Sequence, residues 1–451
     1  MSALPAVTIV GAGMAGCEAA WQLARRGIHV RLYEMRPRVA TPVHKSDLLA
    51  EMVCSNSLRS DSLDNAVGLL HEEMRRLDSI FMAAADRNRV PAGKALAVDR
   101  WRFAREISDR LMALAKVEII REEVTSLPEG PCIIATGPLT SQALSDRLGA
   151  LTGSESLYFY DAISPIVRAG SIDTSKTFEA SRYGKGGDDY LNCPFDQARF
   201  ERFYTALMDA EVMDLHDFEE NLFFEGCLPI EEIGRRGPKT LLFGPMKPVG
   251  LTDPHSGGQP HAVVQLRQDD LAAEHYSLVG FQTRLKWGEQ ERVFRLIPGL
   301  EEAEFVRFGV VHRNTYVNAP RLLTETFQTR LRGDLFLAGQ IAGTEGYVES
   351  AAGGLLAGIY CGMMLLDGGI TPVPRTTALG SLAFYISHAR AIDYQPTNVT
   401  FGIIPELGLP VHGRKQRREA LSRRALSDLN SWIVEVADTL KLKPKARRAA
   451  G

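Results

Sequence analysis

A chain of 451 residues exceeds what one simple hydrophobic core accommodates, so two or three lobes are expected. Its 45% hydrophobic and 24% charged content is that of an ordinary globular protein. The sequence suggests neither an apolar run of the roughly 18 residues a membrane helix needs nor a cleavable secretory signal, so a cytoplasmic protein is expected, with a net charge of −3.

The chain opens with Ala6-Val7-Thr8-Ile9-Val10, a β-branched apolar run that reads as a buried parallel strand. It feeds straight into Gly11-Ala12-Gly13-Met14-Ala15-Gly16, and small and apolar residues then recur at helical spacing until Gly27. Ile28 to Tyr33 reads as a second strand that closes on Glu34. In such a unit Gly11 permits the tight turn, Gly13 lets backbone approach a pyrophosphate, and Gly16 lets helix pack against strand. The phosphates sit on the free N–H groups of the helix start, and an acid at the position of Glu34 accepts hydrogen bonds from ribose hydroxyls. Strand, turn, helix, strand and acid together predict a dinucleotide site.

Helices are expected over residues 68–82 and 101–116, followed by a strand at Val117–Ile120 and another at Pro131–Ala135 that stops at Thr136-Gly137. Residues 155–320 are richer in aromatics and turns and read as an inserted domain of mixed strands and helices. The first pattern then returns with the strand Asp334–Ala338, ending at Gly339-Gln340, and a small-residue helix from Glu349 onward. The fold class is therefore α/β, a Rossmann-type domain interrupted by an α+β insertion. The expected division is 1–150 and 321–370 for the dinucleotide domain, 151–320 for the insertion and 371–451 for a separate, mainly helical end.

That end is basic. From Arg414 to Arg448 eleven Lys/Arg face four acids, which suggests a polyanionic partner, with Arg414, Lys415, Arg417 and Arg418 as RNA-binding candidates. A solvated helix face is the alternative. The six cysteines contain no CxxC pair, and no HExxH, His/Asp cluster or Walker lysine points to a metal or to nucleotide hydrolysis. Cys17, Cys132, Cys193 and Cys361 read as small packing residues. Cys54, in a polar turn, and Cys227, between Gly226 and Leu228 with Glu225 close by, fit that packing role less well.

Ala135-Thr136-Gly137 and Gly339-Gln340 resemble the paired later motifs of proteins that bind FAD along the whole domain. The stretch Gly13 to Ala20 resembles the start of the GidA-related flavoproteins. Several blocks resemble one branch, the TrmFO family: Glu51-Met52-Val53-Cys54-Ser55-Asn56-Ser57, Ala97-Val98-Asp99-Arg100, Tyr190-Leu191-Asn192-Cys193-Pro194, Leu242 to Leu251, and His312-Arg313-Asn314-Thr315-Tyr316. The resemblance implies methylation at C5 of a T-loop uridine in tRNA, with methylenetetrahydrofolate as carbon donor, FAD as reductant and NAD(P)H regenerating it. It assigns Cys227 to addition at uracil C6 and Cys54 to the flavin side or to proton removal, the reverse being the alternative. Lys247, His312, Arg313, Asn314 and Tyr316 become candidates for holding the folate, or a structural loop. Methylation of a ribosomal RNA uridine, a small-molecule FAD oxidoreductase and a flavin-bearing RNA-binding protein are the rival readings.

Overall fold

The computed structural model describes residues 6–437 apart from 42, 153–156, 186, 214–227, 393 and 409. A five-stranded, fully parallel sheet organises the first lobe. Its strand order is Leu335–Leu337, Cys132–Ile134, Val7–Val10, Val30–Tyr33, Val117–Ile120, so the first strand of the chain is central. Successive strands are laid down first to one side of Val7–Val10 and then to the other. In such a sheet the crevice beyond the strand C-termini, where the order reverses, is where ligands bind.

Two helices cover the sheet at that point with almost no space between them. Met14–Arg25 and Tyr347–Asp367 meet through Ala15, Ala19, Gly354 and Gly358. A Cβ on Gly354 would lie 2.1 Å from the Ala15 carbonyl oxygen, and one on Gly358 would lie 2.8 Å from Ala19 Cα. The small residues of the second helix thus serve backbone-to-backbone approach. Contrary to the expectation from sequence, the stretch Tyr347–Leu366 is long and apolar enough to cross a membrane by length and composition. Its most apolar window is 89% buried inside the protein, which accounts for its character.

The helix expected over 68–82 is broken. Ala66–Arg76 ends where Asp78 adopts φ +60°, and Ser79 starts Ile80–Arg87 by accepting the Met82 N–H on its side chain. Asp and Ser are stop and cap residues for physical reasons that hydrophobic periodicity does not register. A small antiparallel sheet of Ser57–Ser60, Ala95–Val98 and Arg89–Val90 follows the same lobe.

The chain leaves this lobe along Leu157–Ala162 and returns along Val311–Tyr316, the two strands pairing antiparallel with Ala162 opposite Val311. Between them lies a second core. A six-stranded sheet, ordered Phe178–Glu179, Tyr190–Phe195, Ala262–Gln268, His275–Leu278, Ile166–Arg168, Phe305–Arg307, is backed by Gln197–Met208 and Trp287–Phe294. The described residues after Asp367 do not form a separate unit. Helices Ala378–His388 and Arg414–Glu435 bury Leu379, Leu382, Leu421, Leu429 and Trp432 in the core of the first lobe. Buried Glu73 accepts the N–H groups of Ala378 and Leu379 at 2.8 and 2.9 Å, capping the first of these helices.

Candidate active site

The three glycines of the turn sit in different surroundings, with Gly11 at φ +97°. A Cβ on Gly11 would lie 2.6 Å from the Ala135 carbonyl oxygen and one on Gly16 would lie 1.8 Å from the Gly11 carbonyl oxygen, so these two glycines serve packing. A Cβ on Gly13 would meet nothing within 4 Å: here the missing side chain leaves room for a ligand. The turn opens a cleft of about 410 Å³ at the switch point of the sheet. Gly11 to Ala15, Glu34, Ala135, Thr136, Gly137, Gly339 and Gln340 all line it, while Gly16 lies beneath, between helix and strand.

Glu34 stands buried at one end. Its Oε1 accepts the Arg36 N–H and Nε–H at 3.0 and 2.9 Å, and its Oε2 accepts the Ala12 N–H at 3.2 Å. Burial alone would raise its carboxyl, but Arg36 and these N–H donors hold it below the usual carboxylate range. Each carboxylate oxygen can accept more than one hydrogen bond, so Oε2 retains capacity for a ribose hydroxyl. At the far side Gln340 Nε2 donates to Glu345 Oε2 at 2.8 Å, which fixes the turn after the last sheet strand. Open space over Gly13, N–H groups at a helix start and an ionised acid just past the end of the second strand fit a bound FAD.

Cys54 lies on the wall of the same cleft, so the structure brings one of the two candidate cysteines to the dinucleotide site. Tyr347, the first residue of the long helix, holds it. The phenol oxygen accepts the N–H groups of Val53 and Cys54, both at 2.8 Å, and lies 3.0 Å from Cys54 Sγ. Burial, and after it the neighbouring Cys54, push the Tyr347 phenol well above its ordinary value, so it keeps its proton. Three guanidiniums surround this turn. Arg307 Nη2 donates to the Val53 carbonyl, Arg267 donates to Ser55 Oγ and Asn56 Oδ1 at 2.8 Å each, and Arg100 donates to the Met52 carbonyl at 3.2 Å. Asp269 pairs with Arg100 through two bonds of 2.6 and 2.7 Å. Desolvation lowers Arg267 and Arg307, whereas Asp269 outweighs it at Arg100 and raises that group.

Cys227 lies outside the described residues. The chain on either side of its segment is anchored to one stretch of the insertion, by Met213 N–H to the Arg284 carbonyl at 2.8 Å and Ile230 N–H to the Gln282 carbonyl at 2.7 Å. Cys17, Cys132, Cys193 and Cys361 are buried, and burial pushes the Cys132 thiol up to about 12. Lys247 is half-buried in the insertion, behind the helix Pro238–Phe243. His312, Arg313, Asn314 and Tyr316 fall on the returning strand of the ribbon. Asn314 is fully buried, and the Tyr316 hydroxyl donates to the Tyr394 carbonyl at 3.3 Å. Lys247, Asn314 and Tyr316 are not part of the cleft lining. Of the basic candidates, Arg414 and Lys415 are exposed at the start of the last long helix. Arg417 pairs with Glu406 at 2.6 Å, and Arg418 donates to the Asp64 carbonyl at 3.3 Å with its guanidinium 5.5 Å from the Phe401 ring.

Tyr347, Arg100, Arg267 and Arg307 escape sequence reasoning. Arg100 stands in a block that resembles the family, but the Asp99 side chain before it caps a helix, and that local role masks the distant one. Tyr347 reaches Cys54 across 293 residues and carries no local signal.

The family model described as glucose inhibited division protein A matches residues 6–367. A methylenetetrahydrofolate–tRNA-(uracil-5-)-methyltransferase TrmFO of Anoxybacillus flavithermus is 57% identical over 427 residues, covering 95% of this chain and 99% of the relative. The chain belongs to the TrmFO family. A second family member, from Bacillus subtilis, is 55% identical over 425 residues, with 94% and 98% of the two chains covered. Among solved structures, Aquifex aeolicus GidA matches with a TM-score of 0.68 at 17% identity, over 97% of this chain and 75% of that one. At that identity it establishes the shared fold of the TrmFO and GidA branches, the interrupted dinucleotide domain included.

Proposed function

We propose that this protein methylates C5 of a T-loop uridine in tRNA, with methylenetetrahydrofolate as carbon donor, FAD as redox cofactor and NAD(P)H as electron source. The observation that carries the reading is the placement of Cys54 on the wall of the glycine-turn cleft, in a chain 57% identical to a protein named for this reaction. Gly11–Ala15, Glu34, Ala135–Gly137 and Gly339-Gln340 would hold FAD, which in its reduced form would supply the hydride that completes the methyl group.

C5 of uracil is a poor nucleophile. Addition of a thiolate at C6 forms a C–S bond and pushes electron density to C5, which then attacks the folate-derived methylene carbon. A base removes the C5 proton as the methylene carbon parts from its carrier nitrogen, and a hydride added to that carbon completes the methyl group as the thiolate leaves and the C5–C6 double bond is restored. Cys227 is assigned the addition at C6. Cys54, held by Tyr347, is assigned the proton. Three guanidiniums, of which Arg100 is paired with Asp269, surround its turn, a setting that suits a thiolate or the enolate oxygen of the uracil adduct. Lys247 and the strand carrying His312, Arg313, Asn314 and Tyr316 remain the candidates for the folate.

Transfer of label from methylenetetrahydrofolate to C5 of an unmodified tRNA transcript tests the reading, and its absence with reduced FAD present overturns it. A transcript with 5-fluorouridine at the target should form a denaturation-resistant adduct, because fluorine does not leave as a proton does. Cys227→Ala should bind FAD and tRNA yet form no adduct, while Cys54→Ala should lose turnover and still trap RNA. The opposite pattern exchanges the two roles. Modification mapping of both RNAs from a deletion strain separates a tRNA from a ribosomal RNA target.

A further inference from the structure

The aromatic core of the insertion continues to its surface, and its geometry changes on the way. Inside, Phe281 and Phe294 meet edge to face, 5.7 Å apart at 70°, and Phe203 tilts against Phe281 at 46°. Edge-to-face contacts of this kind are ordinary between buried rings. Beyond Phe294 the rings become parallel. Phe305 and Phe308 stack at 5.6 Å and 15°, and Phe308 stacks in turn with Trp287 at 5.7 Å and 14°. Trp287 ends the column with 60% of its surface exposed, at the first residue of the helix Trp287–Phe294.

The column stands beside the chemistry. Phe308 follows Arg307, whose guanidinium is bonded to the Val53 carbonyl next to Cys54. Among the described residues, the cations flanking Trp287 in sequence are paired: Lys286 with Glu211 at 2.7 Å, Arg292 with Glu289 at 2.5 Å, and Arg284 with Glu232. Beside these pairs the surface offers a π-face.

We propose that Trp287, backed by Phe308 and Phe305, is a stacking platform for an unpaired base of the RNA substrate next to the base that is methylated. The proposal rests on the RNA-methylation reading above. A uridine presented to a thiolate at C6 must leave its stack, and the neighbour it abandons loses a stacking partner. Single-stranded RNA is recognised by placing such bases on aromatic side chains. A column already parallel to within 15°, open at its outer ring and one residue from a contact to the Cys54 turn, supplies the next ring in the series.

Stacking and phosphate contacts respond differently to salt, and this makes the test specific. Binding of an unmodified tRNA transcript to full-length, FAD-loaded protein is measured over a range of salt concentrations. Trp287→Ala should weaken binding about tenfold at every salt concentration, and Trp287→Phe should stay within about twofold of the parent. The slope of log affinity against log salt, the flavin content and the affinity for methylenetetrahydrofolate should stay unchanged in both. Parent-like affinity in Trp287→Ala, while the parent methylates tRNA, overturns the platform alone. So does a loss that appears as a changed salt slope, or one shared by folate binding. A parent that neither binds nor methylates tRNA overturns the function and the platform together.

Discussion

The two lobes solve the packing problem with opposite materials. Around the parallel sheet, Ala15, Ala19, Gly354 and Gly358 bring two helices together until no methyl group can be added at either glycine. Across the insertion, Phe195, Phe203, Phe281 and Phe294 fill a broader space between sheet and helices. Small residues hold backbone at a fixed distance, as a cofactor cleft built from N–H groups requires. Large rings fill volume and can be extended outward, as the column ending at Trp287 is. The first lobe is thus built for positional accuracy, the second for surface.

Substitutions that separate space for a ligand from space for a neighbour should have the largest effects. Gly16→Ala drives a methyl group into the Gly11 carbonyl and should leave little folded protein, read as soluble yield and thermal midpoint. Gly13→Val should fold with a near-parent midpoint and yet lack flavin absorbance, because its side chain enters open space that the cofactor needs. A colourless but folded Gly16→Ala, or a yellow Gly13→Val, would reverse these two roles.

Phe294→Ala should cost about 3–5 kcal/mol in the insertion. Because that core is distinct from the sheet core, flavin content should hold under conditions where the variant is folded. Parallel loss of both signals in denaturant would show that the lobes unfold as one.

A smaller effect of opposite material concerns Glu73. Burial raises its carboxyl to about 8, against the N–H donors of Ala378 and Leu379, which act to lower it. With the folded value above the unfolded one, the contribution is fully present below about 4.5 and is lost as pH rises to about 8. The denaturant midpoint should therefore fall over that interval in the parent, and Glu73→Gln should flatten the dependence. The smallest change is expected from Arg414→Ser with Lys415→Ser. Tested by salt titration of tRNA binding, it should reduce the slope by about one to two charges and leave the unfolding free energy within about 0.5 kcal/mol of the parent.

How much was legible in the sequence follows the same division. The strand from Val7, the glycine turn and Glu34 lie within thirty residues, and local geometry dictates each, so their places in the cleft could be anticipated. Cys54 was legible through the family resemblance of its block, and its polar neighbours are poor company for a packing thiol. The environment of Cys54 was not. Tyr347, Arg100, Arg267 and Arg307 come from four remote parts of the chain, and the fold alone makes them neighbours. The break at Asp78 was missed for a different reason: the apolar periodicity runs through it, while a left-handed residue and a serine cap decide the outcome. The docking of the last helices was hidden by their charge, since the face carrying Leu421, Leu429 and Trp432 is narrow beside the basic one.

The antiparallel ribbon has a consequence for how the molecule is made. Ala162 lies opposite Val311, so the insertion returns the chain to the point where it left. The last strand of the parallel sheet, Leu335–Leu337, can pair with Cys132–Ile134 only after that return. As a flexible loop, the intervening stretch would make this closure slow and entropically unfavourable. Once the insertion has folded on its own core, the effective loop shrinks to the two segments that join the ribbon to the sheet strands Cys132–Ile134 and Leu335–Leu337. The insertion then acts as a built-in clamp on the folding route, and damage to its aromatic core should slow acquisition of flavin even where the final cofactor content is normal.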